Sequence, residues 1–117
     1  MKQQWYMGIA NENFVIRNLL NNNVLDVEGA SSTEYTPIIT YKYHGNLNQV
    51  WRLRNYNNES NVYYIENLKS GLVLEIEGGI DADGMRIVQN KPFGNLNQLW
   101  IMSEAWSNCY IISQIVL

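Results

Sequence analysis

Few groups in this chain could do covalent chemistry. His44 is its single histidine and Cys109 its single cysteine. A nucleophile would need Cys109, or a serine activated by His44 and an orienting acid. Cys109 stands in an apolar run with Tyr110, Ile111 and Ile112, which reads as core. One histidine and one distant cysteine make no metal set. Asp81 and Asp83 lie in a Gly-rich loop and read as solvated turn residues. No catalysis, metal or cofactor is expected. Binding chemistry needs less, and one repeat carries candidates for it: the carboxylate of Asp26, the ring of Tyr41, the imidazole of His44 and the amide of Asn48. A carboxylate accepts neighbouring hydroxyls through directional, charge-assisted bonds. An amide donates and accepts beside it, a flat ring packs against a C–H face, and a loop imidazole can donate to a hydroxyl. These are the requirements of a shallow monosaccharide site. The competing reading makes Asp26 and Asn48 a turn-stabilising pair in a hairpin and His44 a solvated loop residue.

The elements that must position this set are duplicated. Asn46-Leu47-Asn48-Gln49-Val50-Trp51 returns as Asn95-Leu96-Asn97-Gln98-Leu99-Trp100, 49 positions later. The register runs from Phe14 to Trp51 without an insertion. Phe14 to Leu19 lies over Tyr63 to Leu68, Val24 to Gly29 over Val73 to Gly78, and Lys42 over Lys91. A repeat of this kind sets the unit of architecture before any strand is assigned. Partial copies flank it: Cys109 to Ser113 resembles the start of a unit, and Gln3-Gln4-Trp5 its end.

Apolar residues follow period two or occur in short runs between turn signals, and nowhere hold helical spacing for three turns. The spacing predicts strands near 13–18, 24–28, 37–42 and 48–54, then 62–67, 73–77, 86–90 and 97–103, with fragments near 3–7 and 109–116. Leu19-Leu20 before three Asn, and Lys69-Ser70-Gly71, read as tight hairpin turns. The Asn-rich stretches at 21–23 and 55–61 favour turns, because Asn tolerates positive φ. A four-stranded unit repeating at about 45–50 residues fits a propeller or a β-trefoil. Two whole units cannot close a propeller, and they nearly close a trefoil. The fold expected is all-β and β-trefoil-like, as a single domain over 1–117. Repeat one spans 13–54 and repeat two 62–103, with partial repeats at 1–8 and 108–117.

The net charge of −3 and pI near 5.0 argue against nucleic acid, which needs a basic stripe. No apolar run is long enough for a membrane span, so no membrane insertion is expected. No basic segment followed by an apolar one marks a signal peptide, which points to a soluble, cytoplasmic protein, with secretion left open. A lone cysteine forms no internal disulfide.

Gln49-Val50-Trp51 and Gln98-Leu99-Trp100, each 23 residues after an acid in a Leu-acid-aliphatic context, resemble the ricin-B-type lectin family, whose units end in Gln-x-Trp. The resemblance covers roughly Phe14 to Met102. It implies that Asp26 is the sugar-binding acid, Asn48 its amide partner and Tyr41 the stacking ring. It also implies a galactose- or N-acetylgalactosamine-type ligand, with glycans or glycoproteins as partners. Gln49, Trp51, Gln98 and Trp100 read as scaffold. Two apart on a strand, Gln49 and Trp51 would share the inward face, leaving Asn48 pointing outward and free to meet ligand.

Unit two departs from this pattern. Glu75 replaces the acid, and its longer arm is expected to enter the sugar's place. Asn90 replaces the ring, Phe93 is a substitute from the loop, and Asn97 is retained. Glu75, Asn90 and Asn97 thus form at most a weaker second site. A shallow single site binds at about −4 to −6 kcal/mol, so avidity would need several chains. The incomplete third repeat suggests exposed edges and a homo-oligomer formed through them. The alternative function is a protein-interaction module or protease inhibitor using exposed loops, with Trp106 as an anchor.

Overall fold

The computed structural model describes residues 5–7, 13–59, 61–79, 86–106 and 109–114, with the backbone alone for 5–7, 102–106 and 109–114. The strands are β1 (Trp5–Met7), β2 (Ile16–Asn18), β3 (Val24–Val27), β4 (Ile38–Tyr41), β5 (Trp51–Asn55), β6 (Val62–Asn67), β7 (Val73–Ile76), β8 (Ile87–Asn90), β9 (Trp100–Trp106) and β10 (Cys109–Gln114). Short 3-10 turns at Glu28–Ala30, Leu47–Gln49, Glu77–Gly79 and Leu96–Gln98 interrupt them. The last two strands of the expected pairs therefore begin later than the spacing suggested. The 3-10 turns at Leu47–Gln49 and Leu96–Gln98 come before the strands that start at Trp51 and Trp100.

Six strands close a ring. β2 pairs β1 (Met7 with Ile16), β1 pairs β10 (Trp5 with Tyr110), and β10 pairs β9. β9 pairs β6 (Trp100 with Tyr63), and β6 pairs β5 (Asn67 with Trp51). Phe14, just ahead of β2, then exchanges both backbone bonds with Trp51 at 2.8 Å each, which returns the ring to its start. Three tryptophans mark the pattern. Trp51 faces Phe14, Trp100 faces Tyr63, and Trp5 faces Tyr110. The two ends of the chain thus pair as the first and last strands of a unit pair elsewhere. Gln3 and Gln4 lie outside the described residues, as do Asp81 and Asp83. Cys109 opens β10 and Trp106 closes β9, but their side chains lie outside what is described.

The ring's interior is filled by Phe14, Ile16, Val27, Trp51, Ile65, Leu74 and Trp100. Ile16 and Ile65, and Trp51 and Trp100, are repeat equivalents, so the same layer is built twice. Trp51 is fully buried, and removing a side chain of this size costs about 3–5 kcal/mol. Its indole N–H donates to Leu25 O at 3.3 Å, and that of Trp100 to Leu74 O at 3.2 Å. Each satisfies the polar edge of a buried ring.

Two hairpins stand outside the ring, β3–β4 and β7–β8, registered by Leu25 with Thr40 and Leu74 with Gln89. They dock on each other. Tyr35 N–H donates to Gln89 O at 2.7 Å, and Gln89 N–H to Thr36 O at 3.0 Å. The buried Gln89 amide adds bonds to Ser31 O and Thr33 O. Among the described residues no third hairpin stands between β9 and β10, which pair directly from Trp106 and Cys109 onward. Asn22, Asn57, Asn58 and Asn61 carry positive φ in the turns, where Asn is tolerated because its short polar chain bonds locally.

Candidate functional site

Asp26 lies on β3, Tyr41 ends β4, His44 sits in the following loop, and Asn48 lies in the 3-10 turn before β5. The structure brings all four around one open cavity of about 310 Å³, completed by Gly29, Ala30, Ile39 and Asn46. Tyr41 and His44 make one wall, with ring centroids 6.1 Å apart and planes tilted by 59°. Tyr41 is 53% exposed, so its face is open to a ligand.

Asp26 is only 4% exposed. Its Oδ1 accepts Asn48 Nδ2 at 3.2 Å, and its Oδ2 accepts Gln49 Nε2 at 2.8 Å. His44 Nε2 stands 3.5 Å from Oδ2. His44 Nδ1 accepts the Asn46 backbone N–H at 3.1 Å, which assigns the neutral ring's proton to Nε2, facing the carboxylate. A carboxylate offers about four acceptor positions. The two amides leave capacity for hydroxyl donors from the cavity.

Asn48 is not turned outward. It is buried, and its amide also donates to Val27 O at 3.2 Å. The reason is the 3-10 turn: strand alternation does not apply at Leu47–Gln49, so Asn48 and Gln49 both point in. Gln49 reaches the core from this turn and not from a strand face shared with Trp51. Its Nε2 donates to Asp26 and to Lys42 O at 2.8 Å, and its Oε1 accepts the amides of His44 and Gly45. Gly45 holds φ 84, a left-handed value suited to glycine. One amide thereby fixes the acid and the loop that carries His44.

The second unit repeats the scaffold and alters the acid. Gln98 Nε2 donates to Glu75 Oε1 at 2.9 Å and to Lys91 O at 2.7 Å, and its Oε1 accepts Phe93 N–H. Glu75 turns to the amides of its own unit. It is buried, and the same Oε1 also takes Asn90 Nδ2 at 3.1 Å. Asn97 Nδ2 donates to Ile76 O at 2.9 Å, matching the bond from Asn48 to Val27. Phe93 stands 63% exposed in the loop. The structure joins Glu75 to Asn90, while Asn97 is bound to backbone instead. Among the described residues no three of His, Cys, Asp or Glu gather as metal ligands.

Sequence reasoning missed Asn67. It is buried, and it ties the β6–β7 turn to the turn carrying Asn48 through Leu47 O, Asn48 O and Val50 O. Its signal was present, since Asn67 lies over Asn18 in the 49-residue register.

A six-stranded ring with hairpins outside it, built from repeated units that each close on a Gln-x-Trp turn, defines a β-trefoil-like fold. The chain belongs to the ricin-type beta-trefoil lectin domain-like family, whose model matches residues 1–90 and, overlapping, 47–114. No curated protein matches it by sequence. Among solved structures, the designed three-fold symmetric protein ThreeFoil is similar at 28% identity and a TM-score of 0.77, over 83% of this chain and 69% of ThreeFoil. The exo-beta-1,3-galactanase 1,3Gal43A from Clostridium thermocellum shares the fold at 21% identity and a TM-score of 0.75, over 95% of this chain. The Polyporus squamosus lectin, solved with a human-type influenza-binding epitope, shares it at 19% identity and a TM-score of 0.69, over 94% of this chain. The chain spans 22% of the galactanase and 35% of that lectin.

Proposed function

We propose that this chain binds carbohydrate without catalysis, taking a terminal galactose- or N-acetylgalactosamine-type sugar at the Asp26 cavity. One observation carries the reading: a buried carboxylate with spare acceptor capacity and a half-exposed tyrosine ring line the same open cavity. Membership of a lectin-domain family supports it. Asp26 accepts hydroxyls, Tyr41 packs the C–H face, and His44 stands at the wall with Nε2 toward the acid. Asn48 acts mainly by orienting the acid. Glu75, Asn90 and Asn97 hold their own unit together and take no sugar. A single shallow site is weak, about −4 to −6 kcal/mol, so engagement of glycans or glycoproteins gains from several chains acting together.

The test is retention on immobilised galactose with elution by free sugar, followed by titration of wild type and Tyr41→Ala. Saturable binding lost in Tyr41→Ala supports the site. No saccharide bound at millimolar concentration, or unchanged binding by Tyr41→Ala, overturns it. Inhibition across a protease panel without sugar binding would favour the protein-interaction alternative.

A further inference from the structure

Two turns that line the Asp26 cavity are bonded to one turn of the other unit. Asn67 staples the β6–β7 turn: its Oδ1 accepts the amides of Lys69 at 3.0 Å and Ser70 at 3.2 Å, and its backbone O accepts Gly71 N–H at 2.9 Å. Its Nδ2 reaches across to Asn48 O at 3.1 Å, in the turn that carries the Asn48 amide. From the same turn, Lys69 Nζ donates to Ala30 O, in a second turn that lines the cavity.

Ala30 needs such a restraint. It lines the cavity and holds φ 53 without being glycine. Left-handed backbone costs an L-residue roughly 1–2 kcal/mol and persists only where the surroundings over-determine it. Val27 O, at the start of the same turn, is held by Asn48. The turn's far end is held by Ser31 N–H on Glu28 O at 3.3 Å and by the Lys69 ammonium. The cation is particular to this turn. In the β2–β3 turn the matching position is Leu20, which is almost fully exposed.

We infer that Lys69 is a positioning residue for the cavity. Its ammonium fixes the Ala30 turn while Asn67 fixes the Asn48 turn, so the affinity of unit one for sugar is set from unit two. Lys69 acts through Ala30 and not by touching ligand. The inference rests on the reading of the Asp26 cavity as the sugar site.

The test compares wild type, Lys69→Met and Lys69→Arg, with Tyr41→Ala as a ligand-contact control. Three quantities are read: amide exchange at Ser31 in sugar-free protein, Kd for galactose and N-acetylgalactosamine by NMR titration, and Tm. Lys69 is exposed, so Lys69→Met is expected to fold and melt as wild type does. Its Ser31 amide should exchange faster and its Kd rise by about three- to ten-fold, the loss of one solvent-screened charged bond. Lys69→Arg, which keeps the cation, should restore both. Unchanged Ser31 exchange in Lys69→Met overturns the clamp, and faster exchange with unaltered Kd overturns its link to affinity. A wild type that binds neither sugar overturns the proposed function instead, and Ser31 exchange then decides the clamp by itself.

Discussion

Asn90 donates its side-chain amide to the Glu75 carboxylate at 3.1 Å, at the position where unit one carries the exposed ring of Tyr41. This bond separates the two units. An extra methylene lets one Glu75 oxygen meet both Gln98 and Asn90. Asp26, with a shorter arm, takes Asn48 on one oxygen and Gln49 on the other, and it lines a cavity together with the Tyr41 ring that unit two lacks.

One sugar per chain is therefore expected. Calorimetric or NMR titration should give a single class of site, with chemical-shift changes at Tyr41 and Ala30 and none at Asn90. Asn97→Ala should bind as wild type does. Two equivalent sites per chain would contradict the internal role of Glu75.

Tyr41→Ala should separate binding from folding. The ring is half exposed, and its contact is with His44. Losing the stacking face should weaken sugar binding about ten-fold or more, while surface truncations of this kind shift stability by only about 0.5 kcal/mol. A titration and a thermal melt on the same sample check both halves.

Asp26→Ala should cost stability as well as binding. It strips the acceptor from two buried amides, Asn48 Nδ2 and Gln49 Nε2. Asn48 keeps Val27 O and Gln49 keeps Lys42 O, so the loss falls short of two orphaned donors. About 2–3 kcal/mol is expected by urea denaturation. A destabilisation below about 0.5 kcal/mol would show that the carboxylate does not organise the turn.

Gln98→Ala should destabilise without touching sugar affinity. This buried amide bonds Glu75, Lys91 O and Phe93 N–H, and emptying it leaves a cavity, the two backbone groups without this partner and Glu75 with Asn90 alone, at a cost of about 2–4 kcal/mol. The Kd of the folded fraction should equal that of wild type.

Alkaline unfolding should respond to Tyr64. Burial, helped by Tyr56, raises its hydroxyl above the usual tyrosine range, against smaller opposing effects of Arg54 and the Gly94 backbone. The folded protein therefore favours the neutral ring. That contribution is complete below the unfolded tyrosine value of about 10, and it is lost as pH rises from there toward the folded value. The melting temperature should fall in this window, and fall less in Tyr64→Phe.

Much of the fold was legible because its signals are local and doubled. The 49-residue register placed Trp51 and Trp100, and period-two runs placed β3, β6, β7 and β8 within a residue or two. Asn48 was misread because alternation was carried through residues that form a 3-10 turn. A repeated Asn-Leu-Asn-Gln gives no period to tell a turn from a strand end. The pairing of Glu75 with Asn90 was not legible, because it depends on the register of two strands and not on either residue's type.

The sequence by itself determined a duplicated β unit and its core tryptophans, since these follow from side-chain type and spacing within one unit, and the resemblance of its Gln-x-Trp units pointed to Asp26, Tyr41 and Asn48, with His44 in the loop between them. Only the tertiary structure decided the rest. Ring closure joins Trp5 to Tyr110, two turns that line the cavity are bonded to Asn67 and Lys69 from the other unit, and Glu75 turns inward to Asn90 and Gln98. These are contacts between distant stretches of chain, and the energies that choose among them exist only once the chain has folded.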